Sequence, residues 1–323
     1  MAPSSSLATS TPVEILLSTY NGERYLDAFL TSLAAQDVGN WTLTIRDDGS
    51  SDGTLEIIRS WVRKLPARIH LLQGEDPGNI GVVRSFSRLL ETSTAPYVMF
   101  ADQDDIWLPG KVRLTLTAMR ERERKTDPTQ PILVHTDATI VDAQLHPSGA
   151  TVWRRQGISP AGRSKFSRIL VENVALGCTM MLNRPLVEVV RFLPSDMGYH
   201  DWWIALVASA FGELVALYEP QILWRRHGAN ESEVSNIGAA LQSTALDPFA
   251  LRRRLTRVFQ ESRPRVTTFL AMYRDRLQPA QIAAADAFLR LDRQDFLARR
   301  LAILRHRLLF VAPLRNVGLF TLI

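Results

Sequence analysis

The first hundred residues alternate short apolar runs with longer stretches in which apolar residues recur every three or four positions. The short runs predict strands at 13–18, 42–46, 69–73 and 97–101, and the longer stretches predict helices at 25–36, 54–64 and 82–92. Strands alternating with helices of this length are typical of βαβ units with parallel strands. The carboxyl ends of such strands share one sheet edge, where open α/β sheets bind ligands.

The pattern changes after residue 130. Apolar runs predict strands at 132–141 and 178–183, helices are predicted at 185–192 and 202–211, and almost everything from residue 248 onward has a helical pattern. We therefore expect an α/β fold with a mostly parallel sheet flanked by helices, followed by a helical C-terminal extension.

Polar segments follow each of the first four strands, and three of them carry carboxylates. They read Thr-Tyr-Asn-Gly at 19–22, Asp-Asp-Gly-Ser-Ser-Asp-Gly at 47–53, Asp-Pro-Gly-Asn-Ile-Gly at 76–81 and Asp-Gln-Asp-Asp at 102–105. Gathering like charges in one crevice is unfavourable unless a cation binds there, and carboxylates suit Mg²⁺ or Mn²⁺. The alternative is ordinary turn chemistry and helix capping. The glycine signatures of P-loop and dinucleotide-binding proteins are absent.

Composition excludes several classes of protein. The chain has 323 residues, of which 46% are hydrophobic, and its mean hydropathy is −0.04, as in globular proteins. A single cysteine, Cys178, excludes a disulfide framework and a cysteine-rich zinc module, and it favours a reducing, cytoplasmic compartment. No apolar stretch reaches the roughly 18 residues of a spanning helix. Residues 1–12 are rich in Ser, Thr, Ala and Pro and are predicted to be a disordered leader.

The motifs at 18–22, 47–54, 79–81 and 102–107 resemble, in order and spacing, the N-terminal half of the family 2 glycosyltransferases, inverting enzymes with the GT-A fold. The form Asp-Gln-Asp-Asp-Ile-Trp is similar to the bacterial branch that includes rhamnosyltransferases of cell-surface polysaccharides such as O-antigen. The resemblance covers roughly residues 13–228. It implies a glycosyltransferase domain at 13–245, with a nucleotide-sugar half at 13–105 and an acceptor half at 106–245, and an extension at 246–323.

The resemblance also implies roles for individual residues. Seven would line the nucleotide site: Thr19, Tyr20, Asn21, Asp47, Asp48, Arg84 and Asp102. Asp47 or Asp48 would meet the base, with Asp48 preferred. Asp104 would hold a divalent ion, Mg²⁺ or Mn²⁺, with His227 as a further ligand, and Arg225 or Arg226 would lie near the diphosphate.

The general base of such an inverting enzyme stands at the start of a helix in the second half of the domain. Asp201 occupies the matching place here, with His200 where the family commonly has Glu. The alternative is that Asp201 merely caps the helix at 202–211. A Gln-x-x-Arg-Trp segment, found in processive relatives, is absent, which favours a single transfer.

The acceptor side is less well marked. Trp153, Asn173, Gly177 and Cys178 resemble the variable region that faces the incoming acceptor. The rings of Trp153, Trp202 and Trp203 could stack on sugars, or they could be core residues.

The extension is strongly basic. Residues 251–323 contain 15 arginines, no lysine and five acids, for a net charge of +10, whereas the remainder carries −5. Leu297, Leu301, Leu304 and Leu308 recur at helical spacing, with arginines 299, 300, 305 and 307 off that stripe. Such a helix suits peripheral contact with the inner, anionic face of the cell membrane. The alternatives are packing on the catalytic body or on a second subunit of a homo-oligomer. Nucleic acid is not an expected partner, because no recognisable RNA- or DNA-binding module accompanies the charge.

The resemblance therefore implies an inverting, metal-dependent transfer of one sugar from a nucleoside-diphosphate sugar to a hydroxyl of a cell-surface glycan or lipid-linked acceptor. The resemblance suggests dTDP-L-rhamnose as a donor. Two alternatives are a sugar-phosphate nucleotidyltransferase, whose glycine-rich basic loop is absent, and a non-catalytic subunit that binds nucleotide sugar or membrane.

Overall fold

The structure, a computed structural model, describes residues 13–72, 78–158, 165–195, 198–227 and 248–310, together with Asn316 and Leu319. The predicted leader and the predicted domain boundary at residue 245 lie outside these residues. The division into halves and extension therefore stays a prediction.

The described strands, in chain order, are β1 (Val13–Thr19), β2 (Trp41–Asp47), β3 (Ile69–Leu71), β4 (Tyr97–Ala101), β5 (Ile106–Trp107), β6 (Ile132–Thr136), β7 (Thr139–Val141), β8 (Pro147–Thr151), β9 (Met180–Asn183), β10 (Glu213–Leu217) and β11 (Ile222–Arg225). The described α-helices are α1 (Leu26–Ala34), α2 (Thr54–Lys64), α3 (Val82–Thr92), α4 (Lys111–Glu123), α5 (Val152–Gln156), α6 (Phe166–Ile169), α7 (Arg184–Val190), α8 (His200–Phe211), α9 (Pro248–Tyr273), α10 (Pro279–Arg290) and α11 (Phe296–His306). Short 3-10 turns lie at 177–179, 274–276 and 291–293.

A seven-stranded sheet forms the centre of the molecule, in the order β10-β6-β9-β4-β1-β2-β3. All of its pairings are parallel except those of β9, which runs antiparallel between β4 and β6. β1 and β4 are almost continuously apolar and buried, as expected for strands covered on both faces. This confirms the α/β fold with a mostly parallel sheet, and it brings the ends of β1, β2 and β4 to one edge.

The predicted strand at 132–141 is wrong as a single strand. β6 ends at Thr136 in the large sheet, and β7 begins at Thr139 in a second sheet of order β5-β11-β7-β8. The break is held by Asp137, whose Oδ1 accepts hydrogen bonds from the N–H groups of Ala138 and Trp153. An apolar pattern cannot reveal this break because both halves are buried.

The predicted strand at 178–183 is also shorter than expected. A 3-10 turn occupies Gly177–Thr179, and only Met180–Asn183 form β9. Gly177 is required in this turn, since a Cβ there would lie 2.6 Å from Nε2 of His200.

The C-terminal helices are packed on the body of the protein. Phe269 of α9 lies 6.0 Å from the Trp203 ring of α8 and 5.6 Å from the Phe166 ring of α6, measured between centroids. Phe269 and Trp203 are fully buried. No helix in the described part of the chain has the length and apolar character needed to cross a bilayer.

Candidate active site

The ends of β1 and β2 are tied together by side-chain hydrogen bonds. Thr19 Oγ1 donates to Asp47 Oδ1 at 2.9 Å, and Asp47 also accepts from the backbone N–H and the hydroxyl of Ser50. Asn21 has a φ of +46°, and its Oδ1 accepts from the N–H of Ser51. Three of the predicted nucleotide residues therefore lie in one hydrogen-bonded group with the loop after β2.

Tyr20 presents an exposed ring at the same edge. The residue is 46% exposed, and its backbone is held by Gln103. Gln103 Oε1 accepts from the Tyr20 N–H at 3.0 Å, and Gln103 Nε2 donates to the Tyr20 carbonyl at 2.9 Å. Gly22 permits this contact, because a Cβ there would lie 2.3 Å from Gln103 Oε1. Gln103 thus links the loop after β4 to the loop after β1, a role that its sequence position does not signal.

Asp48, the residue preferred for contact with the base, is engaged in hydrogen bonds within the protein. Its side chain is buried, and its Oδ1 accepts from Arg46 Nη1 at 2.5 Å. The same carboxylate accepts from the N–H groups of Ile80 and Gly81, at 2.8 and 2.9 Å. Asp48 therefore holds the loop that precedes α3, and Asp47 is the carboxylate left at the edge.

Arg84 lies one turn into α3 and is exposed. It lines a cavity of about 330 Å³ with Ile80, Ser87, Arg88, Glu91, Leu193 and Ser195. Its position after the loop held by Asp48 is consistent with a place near the nucleotide edge.

The Asp-Gln-Asp-Asp turn brings Asp104 against His227. The imidazole Nε2 lies 2.8 Å from Asp104 Oδ2, and the Tyr25 ring packs on the imidazole with 4.7 Å between centroids. Both side chains are half-buried. A carboxylate and an imidazole converging in this way are suitable ligands for a divalent ion such as Mn²⁺.

A second, deeper group lies behind this pair. Oxygens of Asp102 and Asp105 and the sulfur of Cys178 lie within 4.8 Å of one another. Burial, with the charges of Asp104 and Asp102, raises the pKa of Asp105 well above its ordinary value, and burial also raises the pKa of the Cys178 thiol. Because a thiol is a soft ligand and Mg²⁺ and Mn²⁺ prefer oxygen, this group fits a hard cation less well than Asp104 with His227.

Lys111 supplies a positive charge beneath the acidic turn. It is fully buried, its Nζ donates to the Cys178 carbonyl at 2.9 Å, and it lies 4.4 Å from the centroid of the Trp107 ring. Burial lowers its pKa to about 8, opposed by the charges of Asp105 and Asp102. The sequence analysis missed this residue, since nothing in the pattern marks a lysine for burial.

The two arginines at the end of β11 differ in accessibility. Arg225 is buried, and its guanidinium donates to the carbonyls of Asp104 and Ala143, each at 2.7 Å, while its N–H donates to Asp105. It therefore supports the acidic turn. Arg226 is exposed and remains available for that role.

Asp201 stands in the first turn of α8, partly buried. Its Oδ1 accepts from the Trp202 N–H at 2.6 Å, and the Gly177 N–H and the Asn173 side chain also donate to the carboxylate. Burial raises the pKa of Asp201 to about 6, despite these hydrogen bonds. The 3-10 turn at 177–179 contributes to both groups. Gly177 donates its N–H to the Asp201 carboxylate, and Cys178 belongs to the deeper group with Asp102 and Asp105.

The aromatic candidates separate into core and site residues. Trp153 is only 4% exposed, and its indole N–H donates to the Val174 carbonyl. Trp153 thus packs in the core, the alternative that the sequence left open, and fully buried Trp203 is a core residue too. Trp202 is half-buried beside Asp201. His200 is buried against Phe86, with 4.4 Å between ring centroids, and burial lowers its pKa to about 4.

Comparison with known proteins identifies the class to which this fold and site belong. The model of "Glycosyl transferase family 2" matches residues 14–186, more than half of the chain. The chain belongs to this family and is a glycosyltransferase, which sets aside the nucleotidyltransferase and the non-catalytic subunit.

One characterised relative and two solved structures resemble the chain. The dTDP-rhamnosyl transferase RfbG of Shigella flexneri is 26% identical over 231 residues, covering 67% of this chain and 73% of that protein. Staphylococcus aureus TarS 1–349 in complex with UDP-GlcNAc matches with a TM-score of 0.56 and 16% identity, covering 96% of this chain and 89% of that one. The mannosyltransferase PcManGT from Pyrobaculum calidifontis, in complex with GDP-Man and Mn²⁺, matches with a TM-score of 0.53 and 15% identity, covering 96% and 88%. These structural similarities establish the fold.

Proposed function

We propose that this glycosyltransferase moves one sugar, with inversion, from a nucleoside-diphosphate sugar to a hydroxyl of a cell-surface glycan or lipid-linked acceptor, in a metal-dependent reaction. The observation that supports the proposal is the approach of His227 Nε2 to Asp104 Oδ2, at 2.8 Å. A carboxylate and an imidazole side by side are suitable ligands for a divalent ion. A divalent ion bound there would neutralise the negative charge that develops on the departing diphosphate.

The donor nucleotide would lie across the ends of β1, β2 and β4. Asp47 would accept a hydrogen bond from the base, the exposed Tyr20 ring would pack against it, and Asp102 would accept from a ribose hydroxyl. Arg84 and Arg226, both exposed, would approach the diphosphate. Similarity to RfbG favours a dTDP-rhamnose donor.

Asp201 would act as the general base. A carboxylate with a pKa raised to about 6 by burial is still ionised at neutral pH, and it is a stronger base than an ordinary aspartate. It would take the proton from the acceptor hydroxyl as the oxygen attacks the anomeric carbon from the face opposite the nucleotide. Trp202, next to it, would contact the acceptor.

Calorimetry with UDP, dTDP, GDP and CMP, each with and without Mn²⁺, tests the donor site. We expect one nucleoside diphosphate to bind, more tightly with the metal, and Asp104→Asn to lose that metal dependence. Binding of none of them to folded protein, or equal binding with and without metal, would contradict the proposal.

We further propose that α11 places the enzyme on the inner face of the cell membrane. Phe296, Leu297, Leu301 and Leu304 are between 57% and 66% exposed, so their apolar face does not pack on the described part of the body. Arg305 and Arg307 beside them are exposed and complement an anionic surface.

Sedimentation with vesicles of phosphatidylcholine alone, or with anionic phosphatidylglycerol added, tests this contact. We expect binding that requires the anionic lipid and is lost in a variant carrying Leu297→Ser, Leu301→Ser and Leu304→Ser. Light scattering of both proteins is the control, because a change from dimer to monomer without a change in vesicle binding would instead assign this face to a second subunit.

A further inference from the structure

Helix α9, which lies outside the residues that the family model matches, brings an arginine next to the candidate base. Arg265 is only 2% exposed, and its guanidinium carbon lies 3.7 Å from the centroid of the Trp202 ring. A buried arginine is costly unless its charge is compensated. The position of Arg265 therefore calls for a compensating partner.

The surroundings of Arg265 identify that partner. Burial lowers the pKa of Arg265 to about 10, so it is still a cation at neutral pH, and the charge of Asp201 is the largest influence that opposes this lowering. Tyr199 and Glu261 contribute after Asp201. Gly198, with a φ of +84°, lies against the guanidinium, since a Cβ there would be 3.4 Å from Nη2. The start of α8 is thus shaped around the arginine.

We propose that Arg265 is a positioning residue for the transfer reaction, which stacks on Trp202 and keeps the neighbouring Asp201 ionised and oriented toward the acceptor. Helix α9 then completes the active site rather than merely supporting the fold. This inference rests on the proposed role of Asp201 as general base.

The groups that face Asp201 come from three elements. On its own helix, His200 is buried and neutral, and Trp202 donates its backbone N–H. From the segment before β9, Asn173 and Gly177 donate hydrogen bonds. Helix α9 contributes Arg265, which is the cation among the described groups that lower the pKa of Asp201. Glu261, on the same helix, acts on the Arg265 guanidinium rather than on the carboxylate. Loss of Arg265 removes the positive charge and leaves the hydrogen bonds in place.

Titration of ¹³C-labelled aspartate carboxyls by NMR tests the electrostatic part directly, with Asp201→Asn used to assign the resonance. We expect Arg265→Gln to raise the Asp201 midpoint by about one pH unit or more, as loss of a close opposite charge does. Arg265→Lys should leave it near the wild-type value. Arg263→Gln is the matched control, since Arg263 lies on the same helix and pairs with Asp292 at 2.6 Å. An unchanged midpoint in Arg265→Gln would overturn the inference.

Kinetics test the positioning part. In Arg265→Gln the midpoint of the acid limb in the pH profile of kcat/KM should shift to higher pH, by the same amount as the NMR midpoint. The KM for the donor should be unchanged. If Arg265→Gln fails to fold, Arg265→Lys tests the positioning role. A lowered kcat with an unaltered acid limb would support the role of the planar guanidinium, whereas a wild-type kcat would contradict that role. Transfer that persists in Asp201→Asn would refute the proposed base itself, whereas the NMR midpoint would still report on Arg265.

Discussion

The Nε2 atom of His227 lies 2.8 Å from Oδ2 of Asp104, although 123 residues separate the two in the chain. Asp104 follows β4 of the large sheet, and His227 follows β11 of the small one. The carboxylate–imidazole pair thus joins the end of a strand in the large sheet to the end of a strand in the small sheet.

Removal of either member of this pair should weaken metal binding. We expect His227→Ala to raise the dissociation constant for Mn²⁺ by at least about 10-fold, since even outer-shell partners of metal ligands contribute that much. Asp104→Asn should do more, because it removes the anionic ligand. Calorimetric titration of Mn²⁺ measures both. His146→Ala is the control, since His146 forms an exposed pair with Asp142 at 3.0 Å. Wild-type Mn²⁺ affinity in His227→Ala would disprove the metal role.

Asp47 and Asp48 should separate into a binding and a structural residue. Asp48→Asn should lower the free energy of unfolding by about 3–5 kcal/mol, because Arg46 would lose its carboxylate partner while remaining buried. Asp47→Asn should unfold at a urea concentration closer to that of the wild type and should bind the nucleoside diphosphate more weakly. Urea unfolding and calorimetry measure the two effects. If Asp47→Asn unfolds at a lower urea concentration than Asp48→Asn, the buried Arg46–Asp48 pair is not the stabilising interaction.

Trp153 should matter for stability and not for acceptor recognition. Trp153→Ala should cost about 3–5 kcal/mol, the usual range for a buried tryptophan. The milder Trp153→Phe should keep the ring contact with His135, for which 5.2 Å separates the centroids, and leave the KM for the acceptor unchanged. Trp202→Phe is the comparison, and we expect it to raise that KM. An equal rise of the acceptor KM in Trp153→Phe and Trp202→Phe would show that Trp153 contributes to acceptor binding.

His135 should make the fold sensitive to acid. It is fully buried, neither ring nitrogen has a hydrogen-bond partner in the described part of the chain, and burial lowers its pKa to about 3. An unfolded histidine takes up a proton below about pH 6.5 while the folded one stays neutral, so the stability contribution is lost as the pH falls through this window. At pH 5 the loss amounts to about 2 kcal/mol.

The variant His135→Phe keeps a ring in the same space and removes the titrating group. Its free energy of unfolding should therefore change less between pH 7 and pH 5 than that of the wild type, as measured by urea unfolding at both values. His70→Phe, on the exposed side of β3, should retain the wild-type dependence. Equal pH dependence in His135→Phe and the wild type would exclude His135 as the source.

Local patterns predicted the strands and helices of the first hundred residues well. The predicted bounds of α2 and α3 agree with the structure to the residue, because each helix begins after a turn and carries one continuous apolar face. The motifs after β1, β2 and β4 lie at one edge because parallel strands place their carboxyl ends together. The order of the second half was less predictable. β7 leaves the large sheet for the small one, and β9 runs antiparallel within the large sheet, through breaks that buried apolar runs do not display.

The roles of individual side chains were likewise only partly predictable from the sequence. Residue type and spacing indicated carboxylates for a cation, and the resemblance to family 2 glycosyltransferases named Asp104, His227 and Asp201 as candidates. Burial, hydrogen bonding and long-range approach then separated Asp47 from Asp48 and Arg226 from Arg225, and they showed Trp153 to be core. Lys111 and Arg265 became visible only in three dimensions, because their significance comes from neighbours supplied by distant segments. Local sequence determines which groups a strand end carries, but the packing of remote elements determines which of those groups keep contact with solvent and ligand.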